Sequence, residues 1–589
     1  MKRPVFSGTA AFAILLSVGF GPAAWGALPP AVPATVAAKA EASPLREYFL
    51  PPTRVLWTSG AEGVTQAEGL LASKPGQAVL SEPVPPTVLK NVGAGLLLDF
   101  GVEVQGFVEL FTTMMADAAK PRKVRVRFGE SASEAMAELG GRRNAGNDHA
   151  IRDQVVALPW LGKKRVGPSG FRFVRIDVAE GSAPVELSQV RAVLQIRDLA
   201  YVGAFECSDD RLNRIWDVGA YTVHLNMQEY LWDGIKRDRL VWLGDLHPEV
   251  ATISAVFGFD EVVPRSLDLM RDVTKPTEWM NGISSYSMWW IVIQEDLWMH
   301  HGNRRYLEAQ REYLGALAKR LAGFVGADGK ETLDGMRFLD WPTYENKRAV
   351  EEGLQAMLIL ALDSAARLAG TLGDAATETS CREAVARARR FVPEPSGRKS
   401  PAALLALAGV RDAKRVAEEV LKQGGPKDLS TFYGYYVLEA LAKAGEIDTA
   451  IDFIRTYWGG MLDLGATTFW EGFDLEWAKD SGPIDALVPE GRRDVHGDCG
   501  EHCYVGFRHS LCHGWASGPT AWLSRHVLGI QPAAPGFGKV RVRPNLGRLA
   551  WAEGSYPTPR GPIHVRHERE PGGGVRSEVR LPAGVERVE

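Results

Sequence analysis

Apolar and polar positions follow three textures along the chain. Between about residues 52 and 198, short stretches repeat with period two. Lys123-Val124-Arg125-Val126-Arg127-Phe128 alternates strictly, and Gly95–Gly101, Gly106–Phe111, Phe171–Val178 and Val190–Ile196 have the same strand-like character. Gly-bearing turns between them predict a β-sandwich over residues 52–207. Near Ser208 the period lengthens. Leu212, Ile215, Val218 and Tyr221 recur at helical spacing, with Ser208 or Asp209 placed to cap the first turn. Segments of the same kind follow at Ser287–His301, Arg305–Ala322, Ala349–Leu372, Ser380–Arg390, Ala402–Leu421, Phe432–Lys443 and Ile447–Trp458. They predict an all-α domain of helical hairpins over 208–528. From residue 529 strands return at Lys539–Pro544, Gly554–Tyr556, Ile563–Arg566 and Arg576–Leu581, a second and smaller β-domain over 529–589.

Composition narrows the function classes. The 589 residues carry 68 Lys and Arg against 72 Asp and Glu, a net charge of -4. No excess of cations exists to release counterions from phosphates, which argues against a nucleic-acid partner. Lys2 and Arg3, the apolar run Ala10–Gly19 and the small residues near Gly26 read as an export signal over 1–26. An Ala- and Pro-rich linker over 27–51 follows. No later run reaches the ~18 apolar residues of a membrane span, so the expectation is an exported chain, periplasmic or extracellular, without membrane insertion. Five Cys (207, 381, 499, 503 and 512) are too few for a disulfide scaffold, although Cys499 and Cys503 are close enough in sequence to pair locally. Seventeen Trp suit either core packing or stacking platforms for a ligand, and their number does not choose.

Candidate chemistry concentrates in Trp232–Glu249. Carboxylates at 233, 238 and 245 lie among Trp232, Trp242, Gly234 and Gly244, with Lys236, Arg237 and Arg239 between them. A carboxylic acid held against Trp and near another carboxylate resists ionisation and can serve as a general acid. The competing reading is a charged loop whose cations simply pair with its acids. A second acid, Glu471, follows Gly465-Ala466-Thr467-Thr468-Phe469-Trp470. Two acids on separated loops are what glycosidic hydrolysis requires, one to protonate the leaving oxygen and one to activate water or attack carbon.

These motifs, Asp233-Gly234 through Asp238-Arg239-Leu240 to Gly244-Asp245 together with Gly465–Glu471, resemble the α-L-rhamnosidases of glycoside hydrolase family 78. The likeness extends over about 90–585, through Leu98–Gly101, Gly106–Val108, His509–His513 and Leu528–Pro532. It implies an N-terminal β-sandwich, a central (α/α)6 barrel and a C-terminal β-sandwich. The implied activity is release of terminal α-L-rhamnose with inversion, with a carbohydrate as partner and no metal or cofactor. By the resemblance, Asp238 falls where the family has its general acid, and Glu471 matches the water-activating base. Asp233 and Asp245 match acids that hold sugar hydroxyls, Trp242 a pocket aromatic, and His513 a histidine near the sugar. Arg237 and Trp470 are taken with their catalytic neighbours as substrate-binding. The family usually has Glu at the position of Asp238. Asp draws the proton donor back by roughly 1.5 Å, a displacement that can cost about 100-fold in rate. A shifted backbone, a different glycoside, another acid such as Glu249 in the role, and a binding protein that has lost activity all remain open.

Three further features carry alternatives. Trp289 and Trp290 lie on a predicted helix, Trp289 as a candidate for the pocket mouth and the others as core. Phe338-Leu339-Asp340-Trp341-Pro342 offers Trp341 for ring stacking and Asp340 either beside the sugar or as the cap of the next turn. His496, Cys499, His502, Cys503, His509, Cys512 and His513 invite a zinc reading, but lack a paired Cys-x-x-Cys motif. Local pairing and ordinary loop roles are the other readings of that stretch, with Asp498 and Glu501 as possible pocket acids.

Overall fold

The computed structural model describes residue 31, residues 33–39, 41–81, 84–114, 117, 119–502 and 504–589. The export segment over 1–26 lies outside the described residues, as does Cys503 and with it the Cys499–Cys503 pairing. The chain divides into two units, residues 1–44 and 45–589. The first contains a short helix, Ala34–Ala37. The second is a multidomain assembly of helices and sheets.

Its N-terminal part is a nine-stranded sheet. The strands expected at Gly95–Gly101 and Gly106–Phe111 are one strand, Gly95–Thr112. It pairs antiparallel with Gly162–Val178, with register breaks between Asp99 and Val104 and between Gly106 and Val108. At the first break Asp99 Oδ1 accepts the Gly101 amide at 2.7 Å, and Gly101 takes a left-handed φ of 81°. The Asp99 carboxylate thereby pairs an amide freed where the strand bends. Residues 45–50, expected as linker, form a strand paired with Ala192–Arg197. The run Leu45-Arg46-Glu47-Tyr48-Phe49-Leu50 is β-compatible, and Tyr48 and Arg46 are tied to Asp198.

The boundary expected at 207 also moves. Ala204–Cys207 pairs antiparallel with Ala552–Ser555 in the C-terminal four-stranded sheet. Phe205 and Cys207 are buried in the large core that the helices share with the C-terminal strands, while Ala204 and Glu206 face outward. The strand is thus stitched to the end of the chain by a period-two face.

Between these sheets lie the helices. Asp209 caps Asp210–Asn226 by accepting the Arg211 amide. Lys347–Leu372 opens on Asn346, which accepts from the Ala349 amide, and closes on left-handed Gly373. It packs against Ser284–His301, Arg304–Gly323, Ala375–Ala388 and Lys399–Leu407. The single helix expected over Ala402–Leu421 is broken at Gly409 (φ 69°), and a short helix Ala413–Val416 with a π-type turn resumes the path. Leu246–Val256 and Val262–Val273 are additional helices. Among the described residues no helix is long and apolar enough to cross a membrane.

Candidate active site

The acidic loop is fastened on both sides. Ile235 is fully buried in the core of the N-terminal sheet, together with Cys512. A Cβ on Gly170 would stand 2.7 Å from Ile235 Cγ1, so the sheet admits this loop only where it lacks a side chain. On the helical side Asn281 clamps the loop, accepting from the Leu243 amide at 3.0 Å and donating to the Val241 carbonyl at 3.0 Å. Gly234 bridges His513, and the Gly514 amide donates to the Asp233 carbonyl at 2.8 Å. The loop holding Glu471 meets the same strip, for the Glu471 amide donates to the Ser510 carbonyl at 3.0 Å. Two segments more than 200 positions apart are thereby set side by side.

Arg237 joins the two proposed catalytic acids. Its Nη1 donates to Asp238 Oδ1 at 3.0 Å and its Nη2 to Glu471 Oε1 at 2.6 Å. The rigid planar guanidinium confines those two oxygens to within about 8 Å of each other. Arg237 is held by its Nε on the Arg508 carbonyl at 3.0 Å and lies over the Tyr504 ring at 4.6 Å. Trp242 donates its indole N–H to Asp238 Oδ2 at 3.2 Å. Asp238 itself sits in the left-handed region at φ 54°, which Asp tolerates better than most residues.

A second chain of contacts starts at Glu471. His513 stands 3.8 Å from Glu471 Oε1 through Nδ1 and 3.2 Å from Asp245 Oδ2 through Nε2. Tyr286 donates to the other Asp245 oxygen at 3.0 Å. A Cβ at Gly244 would fall 2.1 Å from the Tyr286 ring, so the glycine lets that ring reach Asp245. Asp233 Oδ1 accepts the Leu240 amide at 3.0 Å.

Environment separates these carboxyls. Burial raises Glu471, but Arg237, then His513 and His509, outweigh it and hold the group below its ordinary value. Burial is the main cause in Asp233 and Asp245 as well, and there it prevails: Asp245 is raised and Asp233 well raised, each opposed by His513. For His513, burial works against the charged ring, yet Glu471, Asp245 and Asp233 lift it above the ordinary histidine range. The strip therefore offers one carboxylate kept ionised and two buried acids kept protonated toward higher pH.

Glu471, Asp340 and Trp341 line a cavity of about 270 Å³, together with Phe432, Trp477, Tyr504 and Trp515. Trp341 donates to the Tyr504 hydroxyl at 2.5 Å, which sets Tyr504 beneath Arg237. Asp340 takes its capping role: its carboxylate accepts from the Thr343 amide and hydroxyl and from the Ser400 and Ser430 hydroxyls. Two expectations are corrected. Trp289 is not at the mouth but buried, stacked on the paired rings of His247 (4.5 Å) and Tyr436 (4.7 Å). Trp470 is buried too, edge-on to Phe473 and His509, and like Asp233, Arg237, Asp238, Trp242, Asp245 and His513 it does not line this cavity.

Among the described residues, the histidines and cysteines of the zinc reading do not converge. His513 is committed to Asp245, His509 Nε2 accepts the Gly472 amide at 2.9 Å, and Cys512 is buried near the Thr222 carbonyl. A different trio, Glu130, Glu134 and His496, does converge, but the Lys236 ammonium lies among them. Its Nζ is 2.9 Å from Glu134, 3.4 Å from Glu130 and 3.4 Å from His496. A side-chain cation fills the place a metal would take. Glu249, weighed as a substitute acid, is fully buried at 0% exposure and outside the cavity lining.

Residues 200–394 match the bacterial alpha-L-rhamnosidase 6 hairpin glycosidase domain, and residues 529–588 match the bacterial alpha-L-rhamnosidase C-terminal domain. An alpha-L-rhamnosidase of Alteromonas sp. (strain LOR) is 27% identical over 449 residues, 67% of this chain and 45% of that protein. One from Streptomyces avermitilis is 23% identical over 86% of this chain and 50% of its own length. The chain thus spans about half the length of these curated relatives. The crystal structure of the family 78 rhamnosidase of Bacillus sp. GL1 superposes with a TM-score of 0.68 at 22% identity, covering 88% of this chain and 56% of that one, a likeness of fold. Over residues 200–394 and 529–588 the chain is therefore similar to the bacterial alpha-L-rhamnosidase six-hairpin glycosidase and C-terminal domains.

Proposed function

We propose that the chain is an exo-acting, inverting glycoside hydrolase that releases terminal α-L-rhamnose from oligosaccharides, polysaccharides or glycosides. The observation that carries the reading is the Arg237 guanidinium, which holds Asp238 on one nitrogen and Glu471 on the other beside an aromatic-walled cavity. In this reading Asp238 donates the proton to the departing oxygen. Glu471, kept ionised by Arg237 and His513, takes a proton from the attacking water. The ~8 Å limit on the two oxygens is compatible with the ~6.5–9.5 Å that leaves room for that water. Asp233 and Asp245, raised by burial, serve as hydroxyl partners, and Trp341 supplies a stacking face.

The architecture we propose is an N-terminal β-sandwich formed from the nine-stranded sheet, an (α/α)6 barrel from the helices of 208–528, and a C-terminal β-sandwich. The leader-like segment supports export to a periplasmic or extracellular space. The rhamnose sugar rests on the names of the relatives, among them a Klebsiella oxytoca rhamnosidase with rhamnose bound. A panel of aryl glycosides with α-L-rhamnoside first, followed by NMR of the first-formed anomer, tests both parts. Release of a sugar with the substrate's anomeric configuration rules out inversion, and turnover of another sugar in preference to rhamnose rules out the substrate.

A further inference from the structure

Three groups touch the Asp238 carboxyl. Arg237 and Trp242 donate to it. The third comes from the N-terminal sheet: His149 Nε2 stands 3.4 Å from Asp238 Oδ1, with 34% of the imidazole exposed against 18% of the Asp238 side chain. A guanidinium stays protonated and an indole N–H only donates, so neither can exchange a proton with the carboxyl. An imidazole can, because each ring nitrogen can either carry a proton or accept one.

The placement of His149 is built in several steps. Asn147 fastens the C-terminal side of its loop, accepting from the Arg152 and Asp153 amides at 2.8 and 2.9 Å and donating to the Asp153 carbonyl at 3.0 Å. On the N-terminal side, Arg143 pairs with Asp494 and Asp498, while its carbonyl accepts the Phe507 amide at 2.6 Å. Asp148 pairs with Arg508, the residue whose carbonyl holds Arg237. His149 takes φ 61°, so a left-handed residue on each side brings imidazole and carboxyl together. Non-Gly residues in that region are strained and are retained where the surroundings enforce them.

We infer that His149 is a positioning residue for Asp238 and its proton relay, recharging the general acid between turnovers. The inference rests on the assignment of Asp238 proposed above. After Asp238 gives its proton to the departing glycosidic oxygen, its carboxylate takes the Nε2 proton of the His149 imidazolium. The neutral ring, open to solvent, regains a proton from water or buffer. Glu471 releases to solvent the proton it took from the attacking water, so the cycle closes with no net proton gained or lost.

The test is His149→Ala with phenyl α-L-rhamnoside, whose poor leaving group demands the acid, at increasing imidazole concentration. The expected result is a kcat lower by about tenfold or more, within the span of proton-transfer effects. KM should stay within about twofold, and kcat should recover in proportion to added imidazole. His149→Gln, which keeps a polar side chain of similar reach but cannot relay, should remain slow without imidazole. Unchanged kcat in His149→Ala overturns the relay, and so does a loss that glutamine repairs and imidazole does not. Asp238→Asn separates the two levels. Full activity in that variant removes the general-acid assignment itself, whereas an inactive Asp238→Asn beside a fully active His149→Ala removes only the relay.

Discussion

Replacing Arg237 by Met isolates the one cation that both acids share. Its ion pair with Glu471 is 2.6 Å long, with the partner side chains only 7% and 2% exposed, so solvent screens it little. For charges about 4 Å apart at an effective dielectric near 20, the attraction is roughly 4 kcal/mol. His513 remains and offsets part of the loss, so the Glu471 carboxyl should rise, with burial left as its largest influence. Below that new value the base is protonated and idle. In a profile of kcat/KM against pH, the acid limb should therefore move to higher pH. The plateau should fall as well, because Asp238 loses a donor.

Stability should change sign in its pH dependence. In the parent chain the Glu471 carboxyl is lowered by folding, so its contribution is complete above the unfolded value and is lost as pH falls through the folded one. In Arg237→Met the folded value is raised. The protonated form is tolerated at low pH, and stability is lost as pH rises between the unfolded and folded values. At neutral pH the unpaired buried carboxylate should cost about 3–5 kcal/mol, read as a lower denaturation midpoint. An acid limb that stays within about 0.3 unit of the parent would refute Glu471 as the ionised base.

Glu471→Gln should reduce turnover by about 10²–10⁴-fold while calorimetry still detects L-rhamnose binding, and lost binding with residual turnover would reverse the assignment. Trp341→Ala removes a stacking face worth about 0.5–1.5 kcal/mol, so KM should rise by roughly two- to twelvefold with kcat little altered. Trp289→Ala should behave in the opposite way, because the ring lies in the core, stacked on His247 and Tyr436. Calorimetric unfolding should show a loss of about 3–5 kcal/mol, and a selective change in KM without that loss would return Trp289 to the pocket.

Much of the fold was legible because period two and period three-to-four patterns persist wherever an element buries one face, as in Lys123–Gly129 and Asp210–Asn226. Leu246–Val256 escaped because most of its residues are buried, leaving no polar stripe to mark it, and Pro248 interrupts the pattern. Val262–Val273 does bury one face, through Val262, Val263, Ser266, Leu267 and Met270, but Pro264 in its first turn obscures the start. Asp233, Asp238, Asp245, Glu471 and His513, singled out by acid density and the order of motifs, do lie along one strip. Tyr286, Tyr504 and Arg508 were not singled out, because each reaches the strip from a distant element and has no local signature. Trp289 and Trp470 show the converse, for a Trp's neighbours in sequence, another Trp at 290 or an acid at 471, say nothing of which way its ring is turned.

The part of the site that local pattern could not reveal belongs to the N-terminal sheet. Read along the chain, that sheet precedes the chemistry, and nothing in its alternation suggests that it forms a wall of the site. Yet Glu134, pulled down to about 2 because Arg152 and Lys236 outweigh its burial, holds the ammonium of the residue next to Arg237. Glu130 accepts the Leu511 amide at 2.7 Å, two residues from His513. The Glu103 amide donates to Thr467 at 3.1 Å, and Arg172 donates to the Gly465 carbonyl at 2.9 Å, both just ahead of Glu471. Each loop that carries an acid is thus gripped from the sheet as well as from the helices. Buried charged contacts of this kind contribute little net stability but tolerate few alternative arrangements. Their consequence is geometric: Asp238 and Glu471 are held on one guanidinium only while the sheet and the helices agree on where the loops lie.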